Sequence, residues 1–228
     1  MSTTPQAFSR TPKSDRLTGD PSILQAAIVF LRHAAPRTWL ALAAVTVAIR
    51  LAVGGWSVWD VALVTAMVLA QPFVEWIIHV FVLHFKPIKL LGRKLDLYAA
   101  RLHRAHHRAP WKLELIFVPM RTGLLGLALG VVAWRMILPT TALFTTAIAW
   151  MMLSMLTYEW IHFLTHTNFR PRTRFYRRLW RLHRLHHFKN ERYWQGVTGH
   201  LGDRVLGTMA DPSGVTLSPT CRTLGVDG

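Results

Sequence analysis

Ten of the twelve histidines in this 228-residue chain fall into two near-copies of one pattern. The first copy runs Glu75-Trp76-Ile77-Ile78-His79, then His84, then Arg101-Leu102-His103-Arg104-Ala105-His106-His107. The second runs Glu159-Trp160-Ile161-His162, then His166, then Arg181-Leu182-His183-Arg184-Leu185-His186-His187. Unrelated surface or core histidines would not repeat in this way. Neutral imidazole is a good ligand for iron, copper, zinc and nickel, so the chemistry on offer is metal coordination.

Helical spacing says which rings can converge. His103, His106 and His107 are three and four residues apart and leave one face of a helix, and His183, His186 and His187 repeat that geometry. His162 and His166 form a single i, i+4 pair. His79 and His84 are five apart, about 140° round an ideal helix. Either they serve different metals or the helix loosens before Pro87. Ten nitrogens are too many for one ion and suit two.

Metal-bound histidines usually donate their other N–H to a carboxylate or carbonyl. Glu75 and Glu159, each just ahead of a histidine pair near a span end, are the expected acceptors, and an ionisable residue inside a span is functional by default. Asp203 is a further candidate, with a thinner case. His200 stands outside both copies as a candidate neighbour of the site, and His33 reads as incidental. Trp150, Met151, Met152 and Met155 read as packing or lipid-facing residues.

The elements that must position these groups are apolar. Four segments, 37–53, 58–82, 122–138 and 140–164, approach or reach the twenty or so residues that cross a bilayer as a helix. Arg50 and Arg135 sit near the ends of the first and third, where they are expected to snorkel to the headgroups. Pro139 marks a tight turn between the third and fourth, so the segments read as two helical hairpins. The chain is 51% hydrophobic yet carries a net charge of +16. Of its 27 lysines and arginines, 25 fall on one predicted side of the hairpins, which matches the positive-inside rule with both termini cytoplasmic. A nucleic-acid-binding protein has no reason to alternate basic loops with apolar helices, so no nucleic-acid partner is expected.

Two basic, histidine-bearing segments, 86–112 and 170–192, link and follow the spans. In the first, Asp96 is a good N-cap, and Pro110 ends the helix. In the second, Pro171 favours a helix start, with Phe175, Leu179, Leu182 and His186 on one face and arginines opposite. Such a helix is expected to lie along an anionic leaflet. Residues 1–20 are polar and proline-bearing with no apolar core, so the expectation is a disordered cytoplasmic lead-in and no cleavable signal peptide. The one cysteine, Cys221, excludes an intramolecular disulfide framework and reads as an incidental tail residue. The reading is an all-α integral-membrane fold: four transmembrane helices in two hairpins, with a cytoplasmic helical cap carrying a histidine-rich dimetal site. Residues 1–36 form a lead-in with an interfacial helix, 37–208 the membrane domain and 209–228 an irregular tail.

The pattern resembles the fatty acid hydroxylase (sterol desaturase) superfamily of integral-membrane di-iron oxygenases. The closing stretch Tyr193-Trp194-Gln195-Gly196-Val197-Thr198, with Asp203 and Gly207-Thr208, is also similar to that family's ending. The four histidine spacings are nearest to the fatty acid 2-hydroxylase branch. The resemblance implies metal ligands at His79, His84, His103, His106, His107, His162, His166, His183, His186 and His187. It implies two iron ions (zinc being able to take the same nitrogens in a purified sample) and O2 as cosubstrate. The implied activity is hydroxylation of a lipid acyl chain, with a sterol, carotenoid or lipid-headgroup hydroxylase or a desaturase as the alternative. That branch often carries an N-terminal haem electron-carrier domain, and this chain has none, so the expectation is a separate electron-donor protein. Composition rich in alanine and arginine suggests a bacterial inner membrane. A metal transporter is the contrasting class, but transporters place ligands near the midplane, whereas here they gather at one face.

Overall fold

The computed structural model describes Leu17 and residues 19–226. The lead-in expected at the N-terminus lies, for residues 1–16 and 18, outside the described residues. Helix α1 (Ile23–Phe30) opens with a capping box in which Ser22 and Gln25 exchange side-chain and backbone hydrogen bonds. It buries Ala26, Val29 and Phe30 and leaves Ile23, Leu24 and Ile28 exposed.

Among the described residues, four helical runs are long and apolar enough to cross a membrane: Ala34–Val53, Val58–Leu83, Leu113–Ile137 and Thr141–Thr165. The chain is therefore a multi-pass membrane protein. These runs follow the expected segments closely, and the third starts earlier, with a short turn of helix at Leu113–Leu115. Helices α2 (Ala34–Val53) and α3 (Val58–Ile77) form the first hairpin. After β1 (Ile88–Leu90), β2 (Arg93–Leu95) and α4 (Tyr98–Arg108), helices α5 (Met120–Ile137) and α6 (Thr141–Thr165) form the second. Then come α7 (Arg174–Phe188) and the short α8 (Leu201–Val205). Thr140 caps α6 by accepting from the Leu143 N–H.

Helix α6 is the central one, burying Thr145 to Ala149 at one end and Glu159 and His162 to Thr165 at the other. Trp39 of α2 is fully buried beside it. Gly123 of α5 makes that approach possible, since a Cβ there would collide with the Trp39 ring. Next to it along α6, Phe30, Phe117, Trp160 and Phe163 form an aromatic cluster, with Phe30 edge-on to Trp160 at 5.0 Å. Helix α5 buries none of its side chains, as expected of a helix facing lipid.

Three local expectations are corrected. Arg50 does not snorkel: it is buried, pairs with Asp60 at 2.9 Å and donates to Thr146 and to the Gly54 carbonyl. The Asp60 carboxylate, within reach across the hairpin, offers a better partner than water. Asp96 does not cap α4, which begins at Tyr98 with Leu97 at the cap. Its carboxylate instead receives the Arg104 guanidinium at 2.6 and 2.7 Å. Phe175 is 65% exposed, so the apolar face of α7 begins only at Leu179. That face is turned onto the histidines. Thr173, two residues past Pro171, caps this helix through the Tyr176 N–H.

Candidate metal centre

Helices α3 and α6 end side by side, and α4 and α7 lie across their ends. His79, His103, His106, His107, His162, His183, His186 and His187 are buried, with His84 and His166 half-buried. All ten meet in one cluster, divided into two groups of five. One group is His79, His84, His103, His107 and His186, and the other is His106, His162, His166, His183 and His187. In each group the candidate ligand atoms lie within 4.8 Å of one another.

The partition crosses the two sequence copies. Each copy gives four histidines to its own group and one, His106 or His186, to the other. Helical geometry explains it. Along α4, His103 and His107 point within about 40° of each other, while His106 is displaced by roughly 60° to 100°. The i, i+4 pair thus reaches one point and the intervening histidine another, and α7 repeats the arrangement.

The five-residue step from His79 to His84 is resolved by the second of the two alternatives: the helix loosens. Residues Ile78–Leu83 form a π turn, and the His84 N–H donates to the His79 carbonyl at 2.9 Å. In the other copy the His166 N–H donates to the His162 carbonyl at 3.2 Å in ordinary α geometry. The wider turn absorbs one extra residue and brings His79 and His84 to the same group.

The nitrogens fit metal ions. His79 Nε2 and His107 Nε2 lie 3.1 and 3.2 Å from His103 Nε2. His166 Nε2 and His187 Nε2 lie 3.0 and 3.1 Å from His183 Nε2. Two ligands about 2.1 Å from one ion and at right angles to it stand roughly 3.0 Å apart. Several buried ring nitrogens, including His84 Nε2, His186 Nε2 and both nitrogens of His106 and His162, have no hydrogen-bond partner among the described residues. Buried polar atoms are rarely left so, and an ion at each group would satisfy them. Burial, joined for most of them by neighbouring histidines, holds His84, His103, His106, His166, His183, His186 and His187 well below the usual imidazole range. Burial takes His107 down to about 3 against the opposing pull of the Cys221 carbonyl. All eight are therefore neutral, the state that offers a lone pair to a metal.

The expected carboxylate acceptors are corrected. Among the described residues, Glu75, Glu159 and Asp203 make no hydrogen bond to any of the ten histidines. Backbone carbonyls take that place: His79 Nδ1 donates to Gln195 O at 2.6 Å, His186 Nδ1 to Tyr193 O at 2.8 Å and His107 Nδ1 to Cys221 O at 2.9 Å. A carbonyl can only accept, so these three rings carry the proton on Nδ1 and turn a bare Nε2 to the centre. The carboxylates act one step further out, because clustered backbone N–H groups are the donors within their reach. Asp203 accepts from the Gln195 and Gly196 N–H groups at 2.7 and 2.9 Å and from the Thr208 hydroxyl. Glu75 accepts from the Val197 and Thr198 N–H groups and from the Thr198 hydroxyl. Together they clamp the loop that carries the Gln195 carbonyl. Burial alone would raise Asp203, but the bonds from His200, Thr208, Gly196 and Gln195 outweigh it and hold its carboxyl below the usual range. Gly202 lets this segment dock on α3, since a Cβ there would strike the Pro72 carbonyl. Glu159 accepts from the Val118 N–H at 2.9 Å and secures the start of the third span.

His200 serves the same clamp, with Nδ1 2.8 Å from Asp203. His33 lies apart, against the Phe117 ring. Cys221 is the residue whose part the sequence did not signal: its carbonyl, not its thiol, holds His107. It belongs to a strap laid over α4 and α7. There Ser218 N–H donates to Lys189 O at 2.8 Å, Thr220 Oγ1 to Glu191 Oε1 at 2.6 Å and Arg108 to Val226 O at 3.1 Å.

A fatty acid hydroxylase family model matches residues 64–208, more than half of the chain and all ten histidines. The chain belongs to the fatty acid hydroxylase family. Within the family it is similar to two dihydroceramide fatty acyl 2-hydroxylases of Arabidopsis thaliana. With FAH1 it shares 29% identity over 138 residues, 60% of this chain and 56% of the relative. With FAH2 it shares 26% over 180 residues, 77% of this chain and 72% of the relative. The chain thus spans little more than half of the first of these. Among solved structures, full-length scs7p, in which only the hydroxylase domain is visible, matches with a TM-score of 0.67 at 23% identity. That match covers 81% of this chain and 68% of the other, and it supports the fold.

Proposed function

We propose that this protein hydroxylates the acyl chain of a membrane lipid with O2, using two iron ions held by the ten histidines. The observation that carries this reading is the pair of five-histidine groups at the ends of the spans, in a chain of the fatty acid hydroxylase family. The donor set suits iron. Oxidising an unactivated C–H bond needs a redox-active ion, which zinc is not. In the net reaction one oxygen atom enters the C–H bond and the other leaves as water. O2 takes up four electrons, two from the C–H bond and two from a separate donor protein, together with two protons.

When bound, the ions supply the reduction of O2. The chain's own residues would hold and orient them: His79, His84, His162 and His166 at the ends of the second and fourth spans from the membrane side, and the α4 and α7 histidines from the cap. Buried, neutral imidazoles keep water from the centre, and an acyl chain reaches it along the apolar surfaces of α3 and α6. Residues 37–208 form the hydroxylase unit. The basic loops place the histidine side toward the cytoplasm, by the positive-inside rule, and composition points to a bacterial plasma membrane.

Lipid mass spectrometry on membranes from cells expressing wild type or His187→Ala, grown under heavy-isotope O2, tests the proposal. A wild-type-only lipid carrying one heavy oxygen is expected. No labelled lipid, with iron in the protein and a donor system present, would refute it.

A further inference from the structure

The repeat pairs His79 with His162, His107 with His187 and His186 with His106, and every pair divides between the two groups. In each pair the outer nitrogens are treated differently. Nδ1 of His79, His107 and His186 donates to the carbonyls of Gln195, Cys221 and Tyr193. Nδ1 of His162, His187 and His106 is buried and has no hydrogen-bond partner among the described residues. The Ile116 backbone stands near His162, but without a hydrogen bond of normal geometry. The cause is topological. The second copy is followed by the 193–226 segment, whose carbonyls reach back over the first group. The first copy is followed by the entry into the third span, from which the Ile116 backbone approaches His162 without closing a hydrogen bond.

An outer acceptor fixes the tautomer and the ring orientation and makes the coordinating nitrogen more basic, and its loss typically weakens metal binding by 10- to 100-fold. Resting on the dimetal reading above, we infer that the two sites are unequal. The His79–His84–His103–His107–His186 group holds its ion tightly, and the His106–His162–His166–His183–His187 group is the exchangeable one. The 193–226 segment creates the difference and acts as a positioning element for one metal only.

The test uses the whole chain in detergent, loaded with zinc and challenged with excess chelator, with retained zinc counted over time. Wild type should lose two equivalents in two phases whose rates differ tenfold or more. His166→Ala, which disables the second group, should keep only the slow phase, and His84→Ala only the fast one. Glu191→Gln and Thr220→Val loosen the strap without touching a histidine. Either should accelerate the slow phase several-fold and leave the fast phase unchanged. A single phase in wild type, or the reverse assignment in the histidine variants, overturns the inference. A slow phase indifferent to the strap variants removes the segment as its cause. Fewer than two zinc ions in wild type would instead overturn the dimetal reading itself.

Discussion

The rings of His107 and His187 stand 4.1 Å apart, centroid to centroid, inclined by 36°. They occupy the same position in the two sequence copies, yet each belongs to a different group. The contact marks where the two halves meet, and His106 and His186 cross it in opposite directions. Neither half completes a five-nitrogen group alone, so the metal centre and the packing of α4 against α7 stand or fall together.

The π turn at Ile78–Leu83 accommodates one residue more than the matching stretch of α6. Deleting Phe81, which is 62% exposed, should convert the turn to α geometry and leave His79 and His84 four apart, as His162 and His166 are. Zinc binding by this deletion variant should match wild type within a few-fold. Complete loss of one zinc would show that the wider turn is itself required.

Glu75→Gln and Asp203→Asn each convert a carboxylate clamped on backbone N–H groups into an amide that brings N–H donors of its own. The loop at 195–198 loses part of its anchorage, and the Gln195 carbonyl drifts from His79. Metal affinity should fall about tenfold in each variant, by the same reasoning that applies to other outer partners of metal ligands. Chelator competition measures it, and wild-type affinity in both would remove the clamp from the account.

Acid should destabilise the metal-free protein. His107 protonates near 6.5 when unfolded but only at about 3 when folded, and its neighbours are shifted the same way. Below pH 6.5 the unfolded chain therefore binds protons that the folded chain cannot, and stability falls by up to about 1.4 kcal/mol per pH unit for each such histidine. Above pH 6.5 these groups contribute no pH dependence. Thermal unfolding of metal-free protein between pH 5 and 8 should show a midpoint that drops steeply on the acid side and stays level above. A level profile throughout would mean that the rings are not held neutral.

Arg50 and Asp60 latch the end of the spans opposite the histidines. Leaving one buried charge without its partner typically costs about 3 to 5 kcal/mol, whereas replacing both with apolar residues is far milder. Asp60→Ala should lower stability in detergent by about 3 kcal/mol, and Arg50→Met with Asp60→Leu should recover most of it. Equal stability of the single and double variants would show that the pair is not coupled.

Much of this molecule was legible in its residues, because spans follow from runs of apolar side chains and the centre from two copies of a histidine spacing. The distribution of ligands was not legible. Three and four residues on a helix read alike as one face, and the roughly 60° to 100° that sets His106 off from His107 and His103 decides the grouping only once α7 meets α4. The partners of His79, His107 and His186 were hidden for a different reason: a backbone carbonyl leaves no trace in side-chain identity, so Cys221 looked incidental. Arg50 and Asp96 depart from their local propensity because their partners, Asp60 and Arg104, are brought to them only by folding.

The decisive quantity is the number of ions the ten histidines hold. Purified wild-type protein, reconstituted anaerobically with ferrous iron and freed of excess, should carry two irons per chain by elemental analysis against amino-acid quantitation. One iron per chain, or none, would contradict the dimetal reading.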